Sequence, residues 1–377
     1  MQDLCRRVEL GGALSFSAVS PSAQSFLAAL LSRLFPSRTV VVVTDGLKTQ
    51  ESFQQDIETW LALDRDVKGT SSEQNKGAAV SGPRQPALAS RPLFYPAWES
   101  LPHESKLPHA DVVSDRLETL VALSGNSKSE TKNSNLVVTS VTALLQRTFL
   151  PEEIRRRTRS LRRGEKIEPL DWIEWLEEQG YEPEAQVTQR GEISLRGGIV
   201  DLWPLTSPWP VRLEFFGDDL ESLRTFDPFT QISKDEIVDI QVPPAGELGI
   251  LQRGTESADR EKDEINQKPQ SLGTLLDYLP HESIFLFCEP ELMAESAQRY
   301  QEQVPADDPF CISWEDFLEQ ITAKTLATIS IFENEGDPEF LSVESERSVE
   351  SPPLDLEFQS LEVFRPIGNR PPEPQVA

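Results

Sequence analysis

Arg196, Arg212 and Phe216 carry the most specific chemistry in this sequence. In a strand, successive side chains point to opposite faces. Within GEISLR, Ile193 and Leu195 therefore share an inner face, while Glu192, Ser194 and Arg196 point outward; within PVRLEFF, Val211, Leu213 and Phe215 point inward and Arg212, Glu214 and Phe216 outward. Guanidinium groups beside an exposed benzyl ring are the composition of a protein–protein anchor, because the planar forks match carboxylates and the ring fills an apolar pocket. The same pattern arises if Phe216 packs beneath a helix or loop of its own domain, and alternation alone does not choose between the two.

The other reactive side chains form no constellation. His103 and His109 have no second metal ligand or nucleophile at a recognisable spacing and read as ordinary loop histidines. The three cysteines, Cys5, Cys288 and Cys311, lie far apart without metal-ligand or redox spacing, which suits a reducing cytosol. Carboxylates are so numerous that no pair stands out as an acid–base couple. The sequence therefore nominates no catalytic residue, no metal ligand and no cofactor.

Elements that must position the arginines and the ring follow from length and pattern. A chain of 377 residues is long for one core and implies two or three domains. A hydrophobic fraction of 38% is low but adequate, and 29 prolines imply a large share of loop. The formal net charge of −27 repels phosphate backbones, which argues against nucleic acid as the primary partner. No basic segment leads into an apolar run at the N-terminus and no stretch of eighteen apolar residues occurs, so the sequence reads as cytoplasmic, with no membrane association.

Four consecutive valines within Thr39 to Thr44 predict a buried parallel strand, followed over Thr49 to Leu61 by a helix that turns Phe53, Ile57 and Trp60 or Leu61 inward. Asn135 to Thr139 predicts a second strand and Val141 to Phe149 a helical segment, and this alternation implies a mostly parallel sheet. The polar tracts Gly69 to Ser90 and Ser124 to Ser134 read as surface insertions, disordered at least in part. Arg155 to Arg163, with six arginines, is either a solvated connector or a contact for an acidic partner. A helix over Pro169 to Gln179, with Leu170, Ile173 and Leu176 on one face and Gly180 as its stop, opens a small mixed domain of short strands that runs to Val242. Leu251 to Gln270 reads as a polar loop. A helical turn before Tyr278, a strand over Ile284 to Cys288 and a helix from Glu291 to about Glu302 return the chain to α/β character, and the acidic, proline-rich tail beyond Glu333 cannot form a core.

The run GEISLRGGIVDLWP, followed by PVRLEFFGDDLESLRTFDPFTQ, resembles the UvrA-binding domain shared by transcription-repair coupling factors and the excision-repair protein UvrB. LFYPAWESLPHESKLPHADVVSDRLETL, NLVVTSVTALLQR and LLDYLPHESIFLFCEPE extend the likeness over most of Leu14 to Tyr300, and the tryptophan in PAWESLP favours the coupling factors. The resemblance implies that UvrA is the partner and that its contact falls on Arg196, Arg212 and Phe216; Asp218, Asp219 and Arg224, close by in the sequence, are read as setting orientation. It also implies an α/β fold: a degenerate RecA-like parallel-sheet domain, residues 1–157 and 244–335, carrying a small inserted α+β UvrA-binding domain, residues 158–243, and a truncated acidic tail, residues 336–377.

Nucleotide chemistry is where the sequence departs from UvrB. A phosphate loop needs glycines, a lysine and a hydroxyl to hold phosphates and magnesium, whereas Phe16 to Leu30 here reads FSAVSPSAQSFLAAL, with no lysine, no glycine and a proline at Pro21. Cys288 stands where the resemblance puts the metal-binding aspartate, and Glu289 beside it reads as a helix-start carboxylate rather than a metal ligand. The stretch from Tyr95 to Arg116 lacks the aromatic ladder with which UvrB's hairpin clamps DNA. The expectation is a non-enzymatic module that recruits UvrA to stalled transcription complexes in nucleotide excision repair, while contacts with RNA polymerase and DNA fall to C-terminal domains absent from this sequence. The rivals are a fragment of an ATP-dependent translocase or helicase that retains nucleotide binding, and direct DNA binding through the arginine cluster.

Overall fold

The computed structural model describes residues 2–69, 91–104, 106–125, 135–260, 272–324 and 327–334. The first part of the chain forms α1 (Gln2–Leu10), β1 (Ala13–Phe16), α2 (Pro21–Leu34), β2 (Val40–Thr44), α3 (Leu47–Gly69), β3 (Leu93–Tyr95), α4 (Ala110–Leu123), β4 (Leu136–Ser140), α5 (Val141–Leu145) and α6 (Pro151–Arg157). Next come β5 (Arg159–Arg162), α7 (Pro169–Glu178), β6 (Glu182–Pro183), β7 (Glu192–Arg196), β8 (Ile199–Leu202), β9 (Val211–Phe216), β10 (Asp219–Phe226), β11 (Ser233–Glu236) and β12 (Asp239–Val242). The last described stretch holds α8 (Leu248–Arg260), a 3-10 turn (Leu275–Tyr278), β13 (Ile284–Cys288), α9 (Pro290–Gln301), α10 (Trp314–Ala323) and β14 (Ala327–Ile331).

A six-stranded sheet in the order β1-β14-β13-β2-β4-β3, parallel throughout, joins the first and last stretches. Ile284 of β13 pairs with Val40 of β2, so two segments separated by the whole second sheet close one core. The valine run is buried on both faces: Val41 and Val43 pack with Phe285, Phe287 and Leu117, and Val40 and Val42 with Leu27, Ile57 and Leu286. Double burial explains why this strand reads as continuous rather than alternating in hydrophobicity. The result is a RecA-like α/β core that carries a separate sheet of mixed pairing in the order β11-β10-β9-β8-β7-β6. A two-stranded ribbon, β5 with β12, lies where the chain enters and leaves that sheet, and pairs Arg159 with Val242.

The expected helix after β2 is present and longer, and Phe53 and Ile57 are buried as anticipated. Four readings change. The segment after β4 is helical only to Leu145, because Gln146 and Thr148 leave the helix to bridge Cys311 and Gly273. The helix α7 buries Trp172 and Leu176 rather than a Leu170 face; Trp172 stacks on Trp175, and the large rings take the core position while Leu170 is exposed. The expected polar loop after Leu251 begins as helix, since Leu248 and Leu251, one turn apart, are buried against the parallel-sheet core. Fourth, Arg155 to Arg163 is no bare connector but α6 followed by β5. The tracts 70–90 and 126–134, the remainder of the polar segment at 261–270 and the tail 336–377 lie outside the described residues.

Candidate functional site

The inner row of the second sheet runs Ile193, Leu202, Val211 and then Leu195, Val200, Leu213, Leu223. It packs on Trp172 and Leu176 of α7. Leu195, expected inside, is 37% exposed. The neighbouring edge strand β6 stops at Pro183 opposite Ile193, so among the described residues no strand pairs with β7 on that side beyond this point. Ser194, expected outside, is buried because the segment before β7 covers it and its hydroxyl donates to the Ala185 carbonyl.

On the other face the register places Ser194, Asp201, Arg212 and Arg224 in one row, Arg196, Ile199, Glu214 and Ser222 two residues further along, and Phe216 opposite Asp219 at the hairpin end. Arg196 thus lies between Arg212 and Phe216 along the sheet. Two glycines of one tight turn set this geometry. Gly197 takes the left-handed conformation at φ 63° in the β7–β8 turn, and a Cβ on Gly198 would stand 2.8 Å from the Phe215 carbonyl. The Phe216 ring is 75% exposed and is not covered by its own domain.

The two arginines are not equivalent. Arg212 has a side chain only 14% exposed. Its Nε and Nη2 donate to Asp201 Oδ1 and Oδ2 at 2.8 and 2.9 Å, and its Nη1 donates to the Gln231 carbonyl and to Ser233 Oγ at 3.2 and 3.3 Å. Its guanidinium stacks 4.7 Å from the centre of the Phe226 ring. Arg196, at 48% exposure, makes one hydrogen bond among the described residues, Nη2 to Asp201 Oδ2 at 2.7 Å. Asp201 is fully buried and accepts from both. Sequence reasoning missed it, although a lone acid inside the apolar run GGIVDLWP was the signal that could have exposed it.

The arginine cluster is engaged within the chain. Arg155 pairs with Glu152, Arg156 and Arg157 with Glu153, Arg162 with Asp239 and Arg163 with Glu236, while Arg159 stacks on Trp175. His109 caps α4 by accepting from the Asp111 amide, and His103 lies 4.0 Å from Asp308. Among the described residues no cluster of three or more histidine, cysteine or acidic side chains could hold a metal, and no helix is long and apolar enough to cross a membrane.

The strand–loop–helix where a phosphate loop would stand is present as β1, residues 17–20 and α2, next in the sheet to β14 and β13. The structure brings together the two segments singled out there. Gln24 of α2, fully buried, donates from Nε2 to the Val19 carbonyl at 3.1 Å and to Glu289 Oε1 at 2.6 Å. The Glu333 amide donates to the same oxygen at 2.7 Å. Glu289 occupies the first position before α9, but its side chain makes no cap. It points instead at the loop, where burial raises its carboxyl above the ordinary range. A carboxylate in that place opposes phosphate rather than holding it.

A second polar node was invisible in the sequence. Arg116 and Glu247, both fully buried, form a two-pronged pair that also receives the Trp98 indole and the Thr148 hydroxyl. Glu247 follows β12, the ribbon strand by which the chain leaves the second sheet, and Arg116 belongs to α4, so this node locks that exit path onto the parallel-sheet core.

The fold is a parallel α/β body carrying a second sheet of mixed pairing whose outer face holds Arg196, Arg212 and Phe216. Residues 160–248 match the family model of the UvrB interaction domain. The chain is also similar to the transcription-repair-coupling factor of Haemophilus influenzae Rd, 29% identical over 244 residues, covering 56% of this chain and 21% of the relative. It is 31% identical over 202 residues to that of Escherichia coli K12 (51% and 17%). To that of Bacillus subtilis 168 it is 33% identical over 159 residues (42% and 13%). The matched part spans about a fifth, or less, of these relatives' length.

Proposed function

We propose that this chain is a non-catalytic docking module that binds UvrA through the outer face of its second sheet and recruits it to stalled transcription complexes during nucleotide excision repair. The observation that carries this reading is Phe216, a large ring 75% exposed on a face that also holds Arg196, inside the segment that matches the UvrB interaction domain. An exposed aromatic flanked by arginine has the make-up of an interface hot spot. The similarity to transcription-repair-coupling factors supports the same role. The docking unit extends over about residues 158–243, bounded by the β5–β12 ribbon, with residues 1–157 and 244–335 as the body that carries it. The arrangement of Gln24 and Glu289 supports a body that has given up nucleotide binding. Co-elution of purified UvrA with the wild-type chain and with Arg196→Ala, Arg212→Ala and Phe216→Ala tests the reading. Weakened complexes are expected, and undiminished co-elution by all three variants defeats it.

A further inference from the structure

We infer that Asp201 is the positioning residue of the docking face: it fixes Arg196 as the cation that meets the partner, while Arg212 acts through Asp201 from inside the domain. This rests on the docking function proposed above and refines the chemistry of the partner surface. Arg212 has its Nε, Nη1 and Nη2 donating to Asp201, Gln231 and Ser233 and its planar face on Phe226, which leaves little of its fork for another protein. Arg196 gives one N–H to Asp201 and keeps the rest of its fork at the surface, one step along the sheet toward Phe216. Asp201 Oδ2 is the shared acceptor, so the buried carboxylate held two-pronged by Arg212 serves as a fixed post for Arg196. A guanidinium held this way loses less rotamer freedom on binding than a free one. The partner surface that fits is an apolar pocket for the Phe216 ring with one carboxylate beside it, not a pair of carboxylates.

The experiment measures the Kd of purified UvrA for the full chain as a function of potassium chloride, with Arg196→Ala, Arg212→Ala, Arg212→Lys, Asp201→Asn and Phe216→Ala, each checked for folding by thermal melting. Arg196→Ala is expected to weaken binding about 30-fold and to flatten the salt dependence, since it removes the contacting charge. Arg212→Ala is expected to weaken binding while leaving the salt dependence as in the wild type. Asp201→Asn separates position from charge. Adding net positive charge to a face that meets a carboxylate should tighten binding if charge alone matters; loss of the post should weaken it, by about tenfold. Should Asp201→Asn fail to fold, Arg212→Lys decides: it keeps the charge but cannot reproduce the two-pronged grip. Weaker binding with unchanged salt dependence supports the inference, and wild-type binding overturns it. Tighter binding by Asp201→Asn, or equal flattening by Arg196→Ala and Arg212→Ala, also overturns it while leaving the docking function intact. Full affinity in both Arg196→Ala and Phe216→Ala removes the docking function itself.

Discussion

Arg116 and Glu247, 131 residues apart in sequence, meet in a fully buried two-pronged pair, Nε to Oε2 at 2.7 Å and Nη2 to Oε1 at 2.9 Å. The guanidinium is sandwiched between Tyr95 and Trp98, 4.2 and 4.6 Å from the ring centres. Burial alone would lower the Arg116 pKa, but the adjoining carboxylate reverses that and raises it. The arginine therefore stays charged, and removing its partner would strand a buried cation. Glu247→Ala is expected to destabilise the chain by about 3–5 kcal/mol, read as a lower midpoint in urea denaturation. A midpoint within error of the wild type would show that this node does not lock the two sheets together.

The cleft beside α4 makes stability depend on pH. Asp115 lines a cavity of about 310 Å³ with Glu51, Arg91 and Glu118. Burial first, and then the like charge of Glu118, push its carboxyl up to about 6 from 3.8. A folded pKa above the unfolded value means that the native state holds the extra proton. The ionised form therefore carries a penalty that is fully present above about pH 6 and fades as the pH falls toward 3.8. Asp115→Asn should raise Tm by about 1–3 °C near neutral pH, a figure reduced for the group's partial exposure, and the gain should vanish by about pH 4. Melting curves across that range check it; a gain that does not depend on pH contradicts it.

Nucleotide binding is expected to be absent. Gln24 and Glu289 close the loop after β1 with a 2.6 Å hydrogen bond, and the acid faces the place where phosphates would sit. Titration with a fluorescent ATP analogue and magnesium should show no saturable binding below about 1 mM, equivalent to less than about 4 kcal/mol. Micromolar, magnesium-dependent binding would restore the translocase reading.

DNA binding through the arginine cluster is expected to be weak and nonspecific. Arg155, Arg156, Arg157, Arg162 and Arg163 pair with acids of their own domain, and the formal net charge is −27. A gel shift at about 0.15 M salt should retain free duplex at micromolar protein, because binding to the phosphate backbone relies on basic groups free to displace counterions. A steep, salt-dependent shift would contradict this.

Period and composition made the parallel sheet legible: the four valines of β2 and the apolar run of β13 declared buried strands, and the outward parity of Arg196, Arg212 and Phe216 was correct in β7 and β9. Parity could not reveal how β7 is flanked. Ser194 is buried by a segment that crosses over it, and Leu195 is left open beyond a two-residue edge strand. Nor could it show that both arginines share Asp201, because that partner lies on a neighbouring strand and only the register brings it there. The Arg116–Glu247 node was illegible for the same reason: its members come from distant segments, and no local pattern marks a buried charge whose partner is 131 residues away. Gln146 and Thr148 leave their helix to join that node and the strands beside it, an instance of long-range polar satisfaction overriding local propensity.

Calorimetric titration of UvrA into the wild-type chain and into Phe216→Ala, at several temperatures, tests the central claim most directly. Because the ring is already exposed in the free chain, the substitution should leave Tm unchanged within about 0.5 kcal/mol of stability. It should raise Kd about 30-fold and make the heat-capacity change of binding less negative, as expected when an apolar anchor is lost. Identical Kd and heat-capacity change for the two proteins would mean that Phe216 does not enter the UvrA interface.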